Sequence, residues 1–285
     1  MSAPSVIFDK ALLEARRQRA LKQGAETFLL DRVAADIGER LSAVLRNFER
    51  AVDIGTSGDA VRRALVASGK VTAVEAVPFR DEIVSAPAGT LDLAVSALAL
   101  HFVNDLPGAL VQIRRVLKPD GLFLAALIGG DTLSELRQSF AAAESEIEGG
   151  ISPRVAPFAD IRDIGALLQR AGFALPVVDS DRVTVRYDTV FALMHDLRRM
   201  GATNALTERR RRPLKRATLF KMAEIYRERF ADADGRLRAT FEVIWLSGWA
   251  PHESQQQPLK PGTARTRLAD ALGAREISAG EKAGD

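Results

Sequence analysis

Between residues 51 and 127 the chain alternates short, nearly unbroken apolar runs with stretches whose apolar residues recur every three to four positions. The runs are "AVDI", "VTAV", "TLDLAVSALAL" and "LFLAAL"; the stretches include "DAVRRALVAS" and "PGALVQIRRVL". A run without polar alternation must be covered on both faces, and the intervening helices supply that cover. The pattern therefore confines the chain to an α/β fold, a doubly wound, mostly parallel sheet with crossover helices. Strands are expected at 51–54, 71–74, 90–100 and 122–127, and helices at 59–68 and 107–117. "KPDG", Lys118 to Gly121, reads as a turn.

Helical spacing extends to both sides of this centre. Residues 9–45 read as two helices broken near Gly24, with Phe28, Leu29, Val33, Ile37, Leu41, Val44 and Leu45 on the apolar side. Their basic face, Arg16, Arg17, Arg19 and Lys22, is most simply a solvated surface, a substrate-contacting role being the alternative. A helix at 160–171 stops at Gly172, 175–187 is rich in β-formers, and Asp188 can cap a helix carrying Phe191, Met194, Leu197 and Met200. A helix at 214–230 precedes a last strand at 239–249, where Trp245 and Trp249 share one face and suit a core. The expected organisation is an N-terminal helical cap, 1–47; a Rossmann-like ligand-binding domain, 48–187 with 239–250; a helical insertion, 188–238; and a mobile tail, 251–285, in which Pro, Gln, Gly, Lys and Ala dominate.

Composition removes several classes of function. With 0 cysteines there is no disulfide framework, thiolate metal site or cysteine nucleophile, and a cytoplasmic location is the default expectation. His101, His195 and His252 lack metal-ligand spacing, so no metal is expected. A net charge of +3 makes no global case for nucleic acid. The run "ERRRRPLKR", Glu208 to Arg216, has no interleaved aromatics for base stacking; it suits an acidic protein, phosphate or anionic lipid, or simply solvent. No apolar run is long enough to span a membrane, and no secretory h-region is present.

Ligands of doubly wound sheets bind beyond the carboxyl ends of the strands, beside strand one. "AVDIGTSGDAVRRAL" occupies that place. Gly55 allows a tight turn, and the N–H groups of the following helix favour a carboxylate or phosphate. Asp53 can pair with an ammonium. Glu75, twenty residues after Gly55 at the expected end of strand two, can accept hydrogen bonds from ribose hydroxyls.

"VDIGTSGDAVRRAL", "GTLDLAVSALALHFVNDLPGALVQIRRVLKPDGLFLAAL" and "LLQRAGF" together resemble the class I S-adenosylmethionine-dependent methyltransferases, a family that includes the malonyl-carrier-protein methyltransferases of biotin synthesis. "GGDTLSELRQSF", "EGGISPRVAPFADIRDIGALL" and "SGWAPHESQQQPLKPGTA" are similar to the branch of mitochondrial complex I assembly factors that hydroxylate an arginine of a complex I subunit. The resemblance runs from Phe8 to Thr263. It implies a seven-stranded sheet with the last strand antiparallel, and S-adenosyl-L-methionine held by Asp53, Gly55, Thr56, Ser57, Gly58, Glu75, Ser96 and Ala97. It also implies that His101, Phe102 and Asn104 face the reacting methyl group, where alignment supplies much of the rate and no dedicated base is needed.

Two departures from the family pattern bear on that site. Ser57 and Asp59 stand where further glycines are common, and Asp59 either crowds the methionine carboxylate or caps the helix. Only sixteen positions separate Glu75 from Asp92, an interval in which the family fits a helix, a third strand and another acid. "VEAVPF" aligns either with the end of strand two or with the turn after strand three, and in the second register Glu75 is not the ribose acid. Either register reduces the adenine side of the pocket. Three readings follow: a methyltransferase-fold protein acting on a protein partner, with a complex I subunit as the suspected partner; a carboxyl O-methyltransferase on an acidic carrier protein; and a non-catalytic partner-binding module.

Overall fold

In the computed structural model, which describes residues 6–256 and 268–274, the apolar runs pair into one sheet of six strands. Two helices, α1 (Lys10–Lys22) and α2 (Phe28–Ser42), precede it. Then come β1 (Phe48–Ile54), α3 (Ala60–Ala67), β2 (Val71–Val77), β3 (Leu91–Ala97), α4 (Leu106–Val116) and β4 (Leu117–Ile128). The second half contains α5 (Ser134–Glu148), α6 (Ile161–Arg170), β5 (Ala174–Tyr187), α7 (Val190–Arg199), α8 (Arg216–Phe230) and β6 (Leu237–Trp249). The strand order is β2-β1-β3-β4-β6-β5, with the first four parallel and β6 antiparallel to both of its neighbours.

Side chains leave β4 alternately. Leu122, Leu124 and Ala126 enter one core with α2, α3, α5, α7 and α8, whereas Phe123, Ala125 and Leu127 enter another with α4 and α6. Helix α2 and the helices between β5 and β6 thus lie on the same side of the sheet. Trp245 is buried in that core, with the Arg40 guanidinium 4.3 Å from its ring centroid, so the tryptophans of the last strand serve packing as expected.

The sheet has six described strands, not the seven implied by resemblance. Residues 78–90 contain only a turn at Arg80–Glu82 before β3 begins, too few residues for a helix and a strand, so β2 becomes the sheet edge. Lys118 to Gly121 does not separate helix from strand. It bulges within β4, where the register with β3 jumps from Leu91↔Leu117 to Leu93↔Leu122, and Asp120 takes φ +63°. Ala250 holds the bulge, donating its N–H to the Gly121 carbonyl at 2.8 Å and accepting the Asp120 N–H at 3.0 Å. Leu45, counted in the apolar stripe, lies beyond the end of α2 and is fully exposed.

Helix α5 had no sequence expectation. Its stripe, Leu136, Phe140 and Ala143, is interrupted by buried Glu135 and Glu144. Both acids are satisfied: Glu135 accepts from the Thr240 hydroxyl at 2.5 Å, and Glu144 from Ser152 and Arg154. Beyond Pro251 a second unit contains one short described helix, α9 (Leu268–Leu272). Most of the tail expectation, residues 257–267 and 275–285, lies outside the described residues.

Candidate functional site

The carboxyl ends of β1, β3 and β4 come together, and the turn after β1 is built from hydrogen bonds between neighbouring strands. Ser96 Oγ donates to the Ile54 carbonyl at 2.8 Å, and the Ala97 N–H donates to Thr56 Oγ1 at 3.0 Å. Asp53, on β1, is 3% exposed. Among the described residues its Oδ1 has no hydrogen-bond partner and no cation pairs with it, and burial raises its pKa to about 6 despite hydrogen bonds from Thr56. An orphaned buried oxygen at the mouth of a sheet marks a place where a donor, such as an ammonium, would be accommodated.

Gly55 adopts φ +72° and donates its N–H to the Val77 carbonyl at 3.0 Å. A Cβ on it would lie 2.9 Å from Phe79 Cβ and 3.3 Å from Ala99 Cβ. The bare face of Gly55 is therefore covered by Phe79. Gly58, at φ +80°, faces open space. Asp59 sits at the N-cap of α3 but makes no side-chain capping hydrogen bond; its carboxylate pairs instead with Arg63 at 2.8 Å and Arg62 at 3.9 Å. The exposed guanidiniums draw it away from the helix end, which corrects the capping expectation and leaves the terminal N–H groups available.

Two further expected site residues are placed differently from the expectation. Glu75 lies inside β2, level with Val52, not at the strand's end, and is exposed on the edge strand. Asn104 fastens the N-terminal segment: its Oδ1 accepts the N–H groups of Ile7 at 2.9 Å and Phe8 at 2.8 Å, and its Nδ2 donates to the Phe8 carbonyl. Phe8 then packs edge-on to Phe102, with ring centroids 5.5 Å apart. The extended backbone of residues 7–8 offers unpaired N–H groups, and Asn104 is the acceptor that meets them.

Ser57, Gly58, Ala97, His101 and Phe102 do converge. They line a cavity of about 180 Å³ beyond the strand ends, roofed by α1 and α2. His101 is wedged between Phe102 and Phe158; its Nδ1 is buried without a partner, and burial with the nearby Arg17 charge lowers its pKa to about 3. It therefore stays neutral throughout the physiological range. We expect its ring resonances to show no titration between pH 5 and pH 8 in NMR; a midpoint near 6.5 would place the ring in solvent.

Sequence reading missed Phe79 and Phe158 as parts of the site and preferred a solvated role for Arg17 over a substrate-contacting one. Arg17 was assigned to a solvated face, but it lies on the stripe of α1 between the buried residues Leu13 and Ala20, at spacings of four and three. That spacing was the available signal. Burial lowers the pKa of its guanidinium, with Glu14 opposing. Among the described residues no three His, Cys, Asp or Glu side chains come together as a metal site.

A methyltransferase-domain profile matches residues 25–176. The arginine-hydroxylase NDUFAF5, mitochondrial, of Homo sapiens is 39% identical over 286 residues, covering 93% of this chain and 83% of that protein. The chain belongs to the methyltransferase-domain family. The Rattus norvegicus protein of the same name is 37% identical with the same coverage. A malonyl-[acyl-carrier protein] O-methyltransferase of Laribacter hongkongensis is 41% identical, but over 61% of this chain and 56% of its own length. A crystal structure of a candidate methyltransferase from Bacillus halodurans, 15% identical, superposes with a TM-score of 0.51 over 76% of this chain and 99% of that one, a likeness of fold.

The fold family implies S-adenosylmethionine, and the site fits only part of it. Asp53 with its orphaned oxygen, the N–H groups at the start of α3, and the cavity beside Gly58 suit an amino-acid end. At the nucleoside end, Phe79 lies on Gly55, and the acid of β2 that resemblance offered for ribose, Glu75, is exposed on the edge. The nucleoside end is where this arrangement departs from what the family implies.

Proposed function

We propose that this methyltransferase-fold chain acts on a protein partner during assembly of respiratory complex I, and that it does so with little grip on S-adenosylmethionine. The carrying observation is the extent of its likeness to the arginine-hydroxylase relatives, 93% of this chain and 83% of theirs, which takes in the helices α7 and α8 and the last strand. The carrier-protein methyltransferase reading is supported by a match over only 61% of this chain. The word "mitochondrial" belongs to the relatives; a chain without cysteine suits any reducing compartment. No helix among the described residues is long and apolar enough to cross a membrane, so contact with a membrane complex would be peripheral.

Part of the basic segment is internally satisfied. Arg209 pairs with Asp9 at 3.1 Å, and Arg210 and Lys215 both pair with Glu148. Arg211 and Arg212 are exposed and provide a surface for an acidic partner.

Deletion of the gene in its native cell tests the reading. The expected strain loses complex I activity and assembled complex while growing without added biotin. A biotin requirement with complex I intact would favour the carrier-protein reading. Calorimetry with S-adenosylhomocysteine tests the cofactor statement: the expected dissociation constant is in the millimolar range or weaker, and a micromolar value would show that the segment carrying Phe79 yields to the nucleoside.

A further inference from the structure

The segment between β2 and β3, residues 78–90, is tied down at three points. Phe79 lies on Gly55 at the end of β1, Val84 is buried in the core that α4 enters, and between them Glu82 is clamped by polar contacts. Its carboxylate accepts the Asn104 N–H at Oε1 and the Asp105 N–H at Oε2, the latter at 2.8 Å, and pairs with the Lys10 ammonium. Its carbonyl accepts from Gln112 Nε2 at 2.9 Å, while Gln112 Oε1 accepts the Val84 N–H at 3.1 Å. The same junction holds the start of the fold, because the Asn104 side chain binds the backbone of Ile7 and Phe8 and Lys10 opens α1.

These contacts hold the backbone in a conformation that its residues disfavour. Asp81 takes φ +52° and Glu82 φ +60°, two consecutive residues in the left-handed region with glycine at neither place. Asp81 is exposed and buries nothing in return, and Ile83 is largely exposed as well. The turn persists because the Glu82 carboxylate is fastened to a different part of the chain. Unfastened, both residues are free to return to ordinary backbone, and Phe79 is no longer tied to the loop at Asn104.

We propose that residues 78–83 form a latched strap: Glu82, fastened to Asn104, Asp105 and Lys10, keeps Phe79 on Gly55, and its release opens the end of β1 to a nucleoside. The inference rests on the weak grip on S-adenosylmethionine proposed above and names the residue that sets it. Weak binding is then a property of the closed strap and not of the turn beneath it, where Gly58 faces open space. A ligand that needs the open strap has an apparent dissociation constant equal to the intrinsic one divided by the open fraction. Because the clamp is shared with residues 7–10, displacement of the N-terminal segment by a partner loosens the strap too.

Calorimetry with S-adenosylhomocysteine on the full chain and its variants tests the latch. Phe79→Ala removes the cover itself and is expected to bind about tenfold more tightly than the unmodified chain, and Glu82→Gln to recover most of that gain. Lys10→Met loses only the ion pair and should gain about threefold. Combining Phe79→Ala with Glu82→Gln should bind no more tightly than Phe79→Ala alone, because both changes act on one strap. Asp81→Gly relieves the left-handed turn with Glu82 still fastened, so it should raise the melting temperature without tightening binding. A purely structural role for Glu82 would lower the melting temperature and leave affinity unimproved. A gain in Phe79→Ala with none in Glu82→Gln or Lys10→Met overturns the latch and leaves Phe79 as a fixed cover. No gain in Phe79→Ala, or micromolar binding by the unmodified chain, overturns the cover and the latch with it. Tighter binding by the double variant than by Phe79→Ala, or by Asp81→Gly than by the unmodified chain, also overturns the latch. If Glu82→Gln does not fold, Lys10→Met and Asp81→Gly decide, since both side chains reach solvent. Complex I assembly in the deletion strain is a separate readout, so failure of the latch and failure of the complex I reading are distinguishable.

Discussion

Gly55→Ala is expected to destabilise the chain by about 3 kcal/mol, lowering the melting temperature by roughly 6–12 °C. Two costs add at this position. An L-residue at φ +72° loses about 1–2 kcal/mol, and a Cβ placed 2.9 Å from Phe79 Cβ and 3.3 Å from Ala99 Cβ forces packed atoms apart for a further ~1–3 kcal/mol. Neither neighbour can yield by rotating a flexible chain end, because both contacts are made by β-carbons. Gly58→Ala provides the comparison: its φ is +80° but nothing lies within 4 Å, so only the conformational cost of about 1 kcal/mol is expected. Thermal melts of both variants decide the matter. Equal losses would mean that Phe79 does not cover Gly55, and the argument against a nucleoside in that place would fall with it.

The second large effect is a pH dependence centred on Asp53. Its carboxyl pKa is raised from 3.8 to about 6 by burial, so the folded chain holds a proton there that the unfolded chain has already released between those values. Stability from this group is consequently highest at low pH, falls as pH rises from about 4 to 6, and stays lower above that range. The shift corresponds to a penalty on the order of 3 kcal/mol at neutral pH. Asp53→Asn removes the ionisation. The variant's stability relative to the unmodified chain should therefore improve by about that amount between pH 4 and pH 8, whatever the fixed cost of burying the amide. His101 acts in the opposite direction, losing stability as pH falls below about 6.5 because the unfolded ring is protonated and the folded ring is not. Denaturant unfolding of Asp53→Asn against the unmodified chain cancels the His101 contribution. A difference that does not change with pH would show that Asp53 is solvated or paired.

Most of the fold was legible because double-sided burial leaves a strong trace: 122–127 and 90–100 are almost wholly apolar, and they become the central strands. Resemblance supplied the antiparallel last strand. The stretch that misled was 75–91. A sequence can show that residues are too few for a helix and a strand, but not whether the surviving strand pairs beside β1 or is lost; here β2 pairs with β1 and leaves Glu75 on the edge. Helix α5 was hidden because Glu135 and Glu144 break its apolar stripe, and their partners, Thr240 and Arg154, are not deducible from helical spacing.

The candidate site was legible where chemistry depends on local turns. Gly55 and Gly58 both adopt positive φ, and Asp53 is buried at the strand end. It was illegible where side chains meet across the sequence. Phe79 against Gly55, Asn104 on the backbone of Ile7 and Phe8, and Arg17 over Phe102 all depend on which elements are neighbours. Arg17 shows the general difficulty: a basic residue on a helix is usually solvated, and only its position between Leu13 and Ala20 shows that the helix turns it inward.

The central claim, a methyltransferase-fold chain working on a protein of complex I, is tested most directly by affinity purification of the tagged full chain from its native cell, with mass spectrometry of the proteins and small molecules that accompany it. The account predicts enrichment of a complex I subunit or assembly intermediate, with S-adenosylmethionine far below one equivalent. Enrichment of an acyl carrier protein without any complex I subunit, or recovery of stoichiometric S-adenosylmethionine, would contradict it.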